Sequence, residues 1–276
     1  MYTSDSIFTI GADHTICDEY ARDGQIPKSD RAFAIVSDGC SSSPDTDLGA
    51  RFLTLALIRE LTRFYELSSV YPNLLSVLRN VIHKAHENCF EPLSADCLDA
   101  TLLLAYEQED RKVCVAVSGD GVILARTRTG AIHSWELDAG NAPLYLSYIL
   151  NKEKFEEYLK LGHGKLTVTH RVDNHIVAQS ELQLGWYDLY YQLEFDPQEY
   201  DLVMLLSDGV LSFRGADQIQ VSLHSVLLRL LDNIGTDKVF LRKQCHEFLD
   251  WICPKLGWQH TDDFSAAAIL LKSSQV

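Results

Sequence analysis

The chain has 276 residues, 46% of them hydrophobic and 23% charged, so it can bury one large core or two modest ones, and its composition does not indicate disorder. Its formal net charge of −15 argues against a nucleic-acid partner, because binding to a phosphate backbone depends on clustered Lys and Arg. No apolar run approaches the roughly 18 residues that span a bilayer, and the polar start lacks a signal-peptide pattern, which predicts a cytoplasmic protein with no membrane partner.

The N-terminal part of the chain predicts two strands followed by two helices. Apolar runs at residues 7–10 and 32–36 read as strands, and the polar stretch between them reads as an irregular loop. Asp45 or Thr46 can cap the first helix, and the second helix is expected to follow Pro72. Both predicted helices carry one apolar face, which is typical of helices that lie on a sheet.

The middle of the chain predicts strands joined by short turns. Continuous or alternating apolar runs occupy residues 100–106, 113–117, 122–126 and 131–137, as in an antiparallel meander. Residues 138–198 are less regular and rich in aromatic side chains. We expect an irregular surface flap there, with one or two strands.

The C-terminal part predicts a strand at residues 202–206, helices near residues 219–234 and 239–252, and a last strand at residues 266–271. Strands and helices therefore occur in blocks, which favours α+β layers over a doubly wound parallel sheet. Because no linker, low-complexity tract or repeat interrupts the sequence, we expect a single domain over residues 1–276.

Two of the apolar runs end in the same tripeptide, Ser37-Asp38-Gly39 and Ser207-Asp208-Gly209, and a third ends in Gly119-Asp120-Gly121. A buried strand that stops at Asp-Gly delivers a carboxylate to the edge of a sheet, and the glycine turn exposes a backbone carbonyl. Any one of these dipeptides alone is better explained as an ordinary turn. Their repetition, however, predicts a cluster of oxygen ligands.

Further carboxylates precede and follow these tripeptides, in the pairs Asp18-Glu19 and Asp262-Asp263. Carboxylates brought together repel one another unless a cation compensates for their charge. Oxygen-only ligation selects Mg²⁺, Mn²⁺ or Ca²⁺ over zinc, and two such ions close together support phosphoryl transfer.

In this order and spacing the acidic motifs resemble those of the type 2C metal-dependent Ser/Thr protein phosphatases. The resemblance extends from Gly11 to Leu271. It rests on six motifs, which are Asp18-Glu19, Ser37-Asp38-Gly39 with Gly49-Ala50, Asp99-Ala100-Thr101, Gly119-Asp120-Gly121, Ser207-Asp208-Gly209-Val210 and Asp262-Asp263-Phe264-Ser265. It implies a four-layer α-β-β-α sandwich, in which two mostly antiparallel sheets are flanked by helix pairs.

The resemblance also implies which residues bind metal. Asp38 is expected to bridge two ions, Mg²⁺ or Mn²⁺, with the carbonyl of Gly39 as a ligand beside it. Asp208 and Asp262 are expected to bind one of these ions.

The remaining implied ligands are Asp18 and Glu19 for the other ion, largely through water, and Asp120 for a weaker third ion. The implied reaction is hydrolysis of a phosphoester by a hydroxide that bridges the two ions, without a phosphoenzyme.

Two positions depart from the family pattern. Many members have an arginine four residues before the early acidic pair, where it holds the substrate phosphate, and this chain has His14. His14 can take over that role as a hydrogen-bond donor, or it is a strand histidine with no part in catalysis. Gly121 stands where the family has serine, which removes a hydroxyl but keeps the carboxylate of Asp120.

These observations predict a metal-dependent phosphatase that hydrolyses phosphoserine and phosphothreonine in a protein substrate and opposes a Ser/Thr kinase. One alternative is a weak or catalytically silent relative that binds a phosphoprotein or kinase partner. Another is an enzyme with the same metal chemistry that acts on a small phosphomonoester.

Overall fold

The structure, a computed structural model, describes residues 2–67, 73–89, 91–140 and 142–272. Its strands are β1 (Thr3–Thr9), β2 (Glu19–Gln25), β3 (Ala32–Asp38), β4 (Leu102–Glu107), β5 (Val113–Ser118), β6 (Gly121–Thr127), β7 (Ile132–Asp138), β8 (Lys165–Val172), β9 (His175–Gln183), β10 (Tyr191–Phe195), β11 (Tyr200–Leu206), β12 (Phe213–Arg214), β13 (Gln259–His260) and β14 (Phe264–Leu270). Its helices are α1 (Thr46–Leu67), α2 (Leu74–His86), α3 (Lys152–Lys160), α4 (Leu223–Leu231), α5 (Phe240–Glu247) and α6 (Cys253–Leu256).

Two large antiparallel sheets form the centre of the fold. One has the strand order β1-β14-β11-β6-β7-β8-β9, and the other has the order β10-β5-β4-β3-β2. A small ribbon pairs β12 with β13. Both chain-terminal strands, β1 and β14, pair with each other in the larger sheet, which brings the first and last motifs of the sequence together.

The alternation of side chains along β11 shows how the layers pack. Val203 and Leu205 are buried in the core shared with the five-stranded sheet, and Leu202, Met204 and Leu206 are buried in the core under the later helices. Successive side chains of a strand point to opposite faces, so the larger sheet is covered on both faces. Helices α1 and α2 cover the outer face of the smaller sheet, and α4 and α5 cover that of the larger one. The predicted α-β-β-α sandwich is confirmed.

The predicted helices and strands are present among the described residues, with ends shifted by a few residues. Pro72, which the second helix is predicted to follow, lies outside the described residues, and α2 begins at Leu74. The stretch between the first two predicted strands is not wholly irregular, because it contains β2, which pairs with β3. The predicted flap region 138–198 contains α3 and three strands, β8, β9 and β10, more regular structure than expected.

The predicted meander of four strands is wrong in one respect. Strands β4 and β5 belong to the smaller sheet, and β6 and β7 belong to the larger one. The chain crosses between the sheets at Gly119-Asp120-Gly121, where both glycines have positive φ angles, 100° and 132°. This crossing places Asp120 where the two sheets meet.

Among the described residues, no helix has both the length and the apolar character needed to cross a membrane.

Candidate metal centre

The end of β3 forms one wall of the candidate site. Glu19 on β2 lies opposite Asp38 on β3 in the antiparallel register, so two carboxyl groups occur side by side. The backbone of Asp38 is fixed by Thr101, whose Oγ1 accepts from the Asp38 N–H at 3.2 Å and whose N–H donates to the Asp38 carbonyl at 2.8 Å. A side chain at Gly39 would place its Cβ 2.7 Å from the Cβ of Thr46, so only glycine fits at this turn.

The end of β11 forms the opposite wall. The Ser207 N–H donates to the Ser265 carbonyl at 3.1 Å, and the Ser265 N–H donates to Ser207 Oγ at 3.0 Å, which joins this turn to the start of β14. A Cβ at Gly209 would lie 1.7 Å from the carbonyl oxygen of Asp263. The Ser-Asp-Gly turn therefore packs directly on the late acidic pair.

Asp263 ties the early loop to this wall. Its carboxylate is almost fully buried and accepts from the Gly11 N–H and the Asp18 N–H, both at 2.8 Å. In addition, the backbone N–H groups of residues 12 and 13 donate to the carbonyls of residues 260 and 261, which lie just before β14. The loop that carries His14 and Asp18 is thus held against β14 by the side chain of Asp263.

These walls enclose a cavity of about 270 Å³. Six of its lining residues are aspartates, and among the described residues none that line it is Lys or Arg. The lining residues are His14, Asp18, Asp38, Gly39, Cys40, Ser41, Ser42, Thr101, Asp120, Gly140, Pro143, Tyr145, Asp208, Asp262 and Asp263.

Burial and mutual repulsion disfavour the ionised form of these carboxyls. Burial raises the pKa of Asp38 well above its usual range, and the charges of Glu19 and Asp208 raise it further. Burial and then the charge of Asp262 raise the pKa of Asp208. Burial, followed by the charge of Asp208, raises the pKa of Asp120 to about 7. Because the described lining supplies no Lys or Arg to offset this charge, the donor set fits hard divalent cations.

All the predicted site residues except Glu19 line this one cavity. His14, Asp18, Asp38, Gly39, Asp120, Asp208 and Asp262 all line the cavity, and Glu19 is buried beside Asp38 but does not line it. Their roles as ligands stay predictions. Within the part of the chain that the structure describes, His14, Asp18 and Asp263 have potential ligand atoms within 4.8 Å of one another.

His14, which was predicted to donate to the substrate phosphate, lies beside two carboxylates. Its Nε2 lies 3.1 Å from Asp262 Oδ1, and its Nδ1 lies 3.2 Å from Asp263 Oδ2. Both ring nitrogens therefore face carboxylates of the same protein. His14 also does not lie in a strand, because residues 10–18 lie between β1 and β2.

A second pocket, of about 330 Å³, adjoins the cavity lined by the aspartates. Cys40, Ser42, Pro143 and Tyr145 line both cavities, and Tyr148 with Tyr158 lines the second one. Burial and contact with Cys40 raise the pKa of Tyr145, so its phenol keeps the proton. An aromatic-rich stretch was noted there in the sequence, but the pattern alone does not distinguish core tyrosines from cavity-lining ones.

Comparison with known proteins gives the family and the fold. The model of the protein phosphatase 2C family matches residues 12–250. No curated protein matches the chain significantly by sequence.

Several solved structures resemble the chain over nearly its whole length. The serine/threonine phosphatase Stp1 from Staphylococcus aureus has a TM-score of 0.59 at 13% identity, covering 99% of this chain and 96% of that one. A bacterial serine phosphatase has a TM-score of 0.57 at 12% identity, covering 99% of both chains. The serine/threonine phosphatase of S. agalactiae has a TM-score of 0.53 at 12% identity, covering 99% of this chain and 100% of that one. At these identities the likeness shows a shared fold.

Proposed function

The chain belongs to the protein phosphatase 2C family, and on that premise we propose that it is a metal-dependent phosphatase that hydrolyses phosphoserine and phosphothreonine in proteins. The observation that carries the proposal is the cavity lined by six aspartates and, among the described residues, by no Lys or Arg. Such a cavity repels a phosphate dianion as it stands. It becomes a phosphate site only when divalent cations reverse its charge.

Within this cavity we assign Asp38, Asp208 and Asp262, with the Gly39 carbonyl, to the metal ions. Asp38 would suit the expected bridging role, because the charges of Glu19 and Asp208 both act on its carboxyl and raise its pKa. We assign Asp18 and Asp120 to the outer parts of the same metal cluster. Mg²⁺ or Mn²⁺ bound there would supply charge compensation for the phosphoryl group and an activated water.

The other cavity residues orient the substrate. The phenol of Tyr145 keeps its proton and can donate a hydrogen bond to a substrate oxygen. The adjoining pocket, lined by Tyr145, Tyr148 and Tyr158, opens beside the metal cavity and provides room for a residue next to the phosphorylated one. A protein substrate uses this pocket, whereas a small phosphate ester has no need of it. We propose a phosphoprotein, modified by a Ser/Thr kinase, as the substrate.

Hydrolysis of a phosphothreonine peptide tests the proposal. We expect turnover with Mn²⁺, none with EDTA, and a loss of at least about 100-fold in Asp38→Asn and Asp208→Asn, because a weakened ion removes several kcal/mol of transition-state stabilisation. Asp250→Asn is the matched control, since this aspartate is exposed on the outer helical layer. Equal turnover in all three variants contradicts the assignment of the site.

The same experiment separates the alternatives. A protein that binds Mn²⁺ and a phosphopeptide without turnover is a catalytically silent relative. A protein that turns over a small phosphate ester much faster than phosphopeptides is a phosphomonoesterase with the same metal chemistry.

A further inference from the structure

His14 is in contact with two neighbouring carboxylates. Its Nε2 is 3.1 Å from Asp262 Oδ1, and its Nδ1 is 3.2 Å from Asp263 Oδ2. Its side chain is only 25% exposed. The imidazole has two nitrogens in all, so neither remains free to hold a phosphate in this arrangement.

Asp262 is held from several sides, and its two oxygens differ. Oδ1 accepts from the Asp263 N–H at 2.9 Å and faces His14 Nε2. The Asp262 N–H donates to Ser212 Oγ at 3.2 Å, and its carbonyl faces His260 Nδ1 at 3.0 Å. Oδ2 takes no hydrogen bond or ion pair from the described residues. One oxygen of Asp262 is therefore fixed, and the other is free for a ligand in the cavity.

The position of His14 depends in turn on Asp263. The buried carboxylate of Asp263 accepts from the N–H groups of Gly11 and Asp18, which bracket the loop that carries His14. A side chain at Gly11 would place its Cβ 2.2 Å from the carbonyl carbon of Asp262, so the loop lies directly against the acidic pair. Asp263 therefore fixes both this loop and the imidazole ring of His14.

We propose that His14 is a positioning residue for the metal ligand Asp262, and that it does not hold the substrate phosphate. The inference rests on the proposed function in one respect, the assignment of Asp262 to a metal ion. By restraining Oδ1, His14 and the Asp263 N–H leave Oδ2 free to bind the ion, as outer partners of a ligating carboxylate do. His14 thus contributes to the affinity for metal, whereas a phosphate-binding arginine contributes to the affinity for substrate.

Two measurements on the full chain separate these roles. Free Mn²⁺ is measured by electron paramagnetic resonance during titration in the absence of substrate, and KM for a phosphothreonine peptide is measured at saturating Mn²⁺. The variants are His14→Ala, which removes the ring, and His14→Gln, whose side-chain NH₂ group keeps N–H donors at similar reach. Circular dichroism checks folding, and His14→Leu replaces the alanine variant if that variant does not fold.

We expect the Kd for Mn²⁺ to rise about tenfold in His14→Ala and to stay within about threefold of wild type in His14→Gln, while KM changes less than about twofold. Unchanged Mn²⁺ affinity in a folded His14→Ala overturns the proposal, and a rise in KM alone assigns His14 to the phosphate instead. Equal weakening in both variants also contradicts it, because a retained donor must rescue binding. Because the titration uses no substrate, a protein that binds Mn²⁺ but hydrolyses no phosphopeptide refutes the proposed function and leaves the test of His14 valid.

Discussion

The buried carboxyl of Asp120 provides a test of the metal-free site through protein stability. Asp120 lies where the chain crosses from β5 to β6, and burial, followed by the charge of Asp208, raises its pKa from 3.8 to about 7. In the unfolded chain the same carboxyl ionises near its ordinary value. Without metal, folding therefore forces this group to stay protonated or to ionise at a cost.

The sign and size of the effect follow from this difference. Because the folded pKa is raised, the folded protein binds more protons, and stability is lost as the pH rises from about 4 through about 7. Each pKa unit corresponds to about 1.36 kcal/mol, so the shift amounts to about 4 kcal/mol in full. Between pH 5 and pH 8 we expect the ionisation of Asp120 to lower the free energy of unfolding by about 2 kcal/mol. This is less than the full amount because relaxation of the protein and entry of water reduce the cost of ionising a buried carboxyl.

Asp120→Asn removes this titration. We expect wild type to lose about 2 kcal/mol more free energy of unfolding than Asp120→Asn does between pH 5 and pH 8, measured by urea denaturation in EDTA. Glu247→Gln, at an exposed position at the end of α5, serves as the control and should match wild type. Parallel pH profiles for wild type and Asp120→Asn would refute the reasoning.

Three further predictions follow from the packing and the site. Leu57→Ala, at a fully buried position of α1, should lower the free energy of unfolding by about 2–5 kcal/mol, while Leu55→Ala on the exposed side of the same helix should cost less than about 1 kcal/mol, both measured in urea. Gly209→Ala should weaken Mn²⁺ binding in a titration, because its Cβ would lie 1.7 Å from the carbonyl oxygen of Asp263 and displace the acidic pair; unaltered binding would contradict that packing. Mn²⁺ at about 100 times its Kd should stabilise wild type by about 2.7 kcal/mol in thermal unfolding and Asp38→Asn much less, with an equal shift in both excluding Asp38 as a ligand.

The parts of the fold that could be predicted are those with a one-sided or continuous apolar pattern. Strands β3 and β11 are buried along almost their whole length, and α1 repeats its apolar residues at helical spacing, so each gives a clear signal. Strand β2 was missed because its sequence, EYARDGQ, is mostly polar and lies at the edge of the smaller sheet. The crossing between β5 and β6 was missed because both strands are continuous apolar runs, which show burial but not the sheet to which a strand belongs.

The site could be predicted where a motif marks a strand end. The tripeptides at Asp38 and Asp208 indicated two converging carboxylates, and the structure places both on one cavity. The contacts of His14 could not be predicted, because they depend on a loop held by a residue some 250 positions later in the chain. The spacing of residues within a motif gives no information about contacts between residues that are far apart in the sequence.

The late acidic pair shows why neighbouring residues of one type need separate structural explanations. Asp262 is about half exposed to the cavity, whereas Asp263 is almost fully buried. Asp263 receives the Gly11 N–H on one oxygen, and the Asp18 N–H and a ring nitrogen of His14 on the other. An asparagine there would offer one acceptor oxygen and would turn its NH₂ group toward N–H donors. Asp263→Asn should therefore loosen the loop and His14 together, so the position of His14 depends on the carboxylate at position 263.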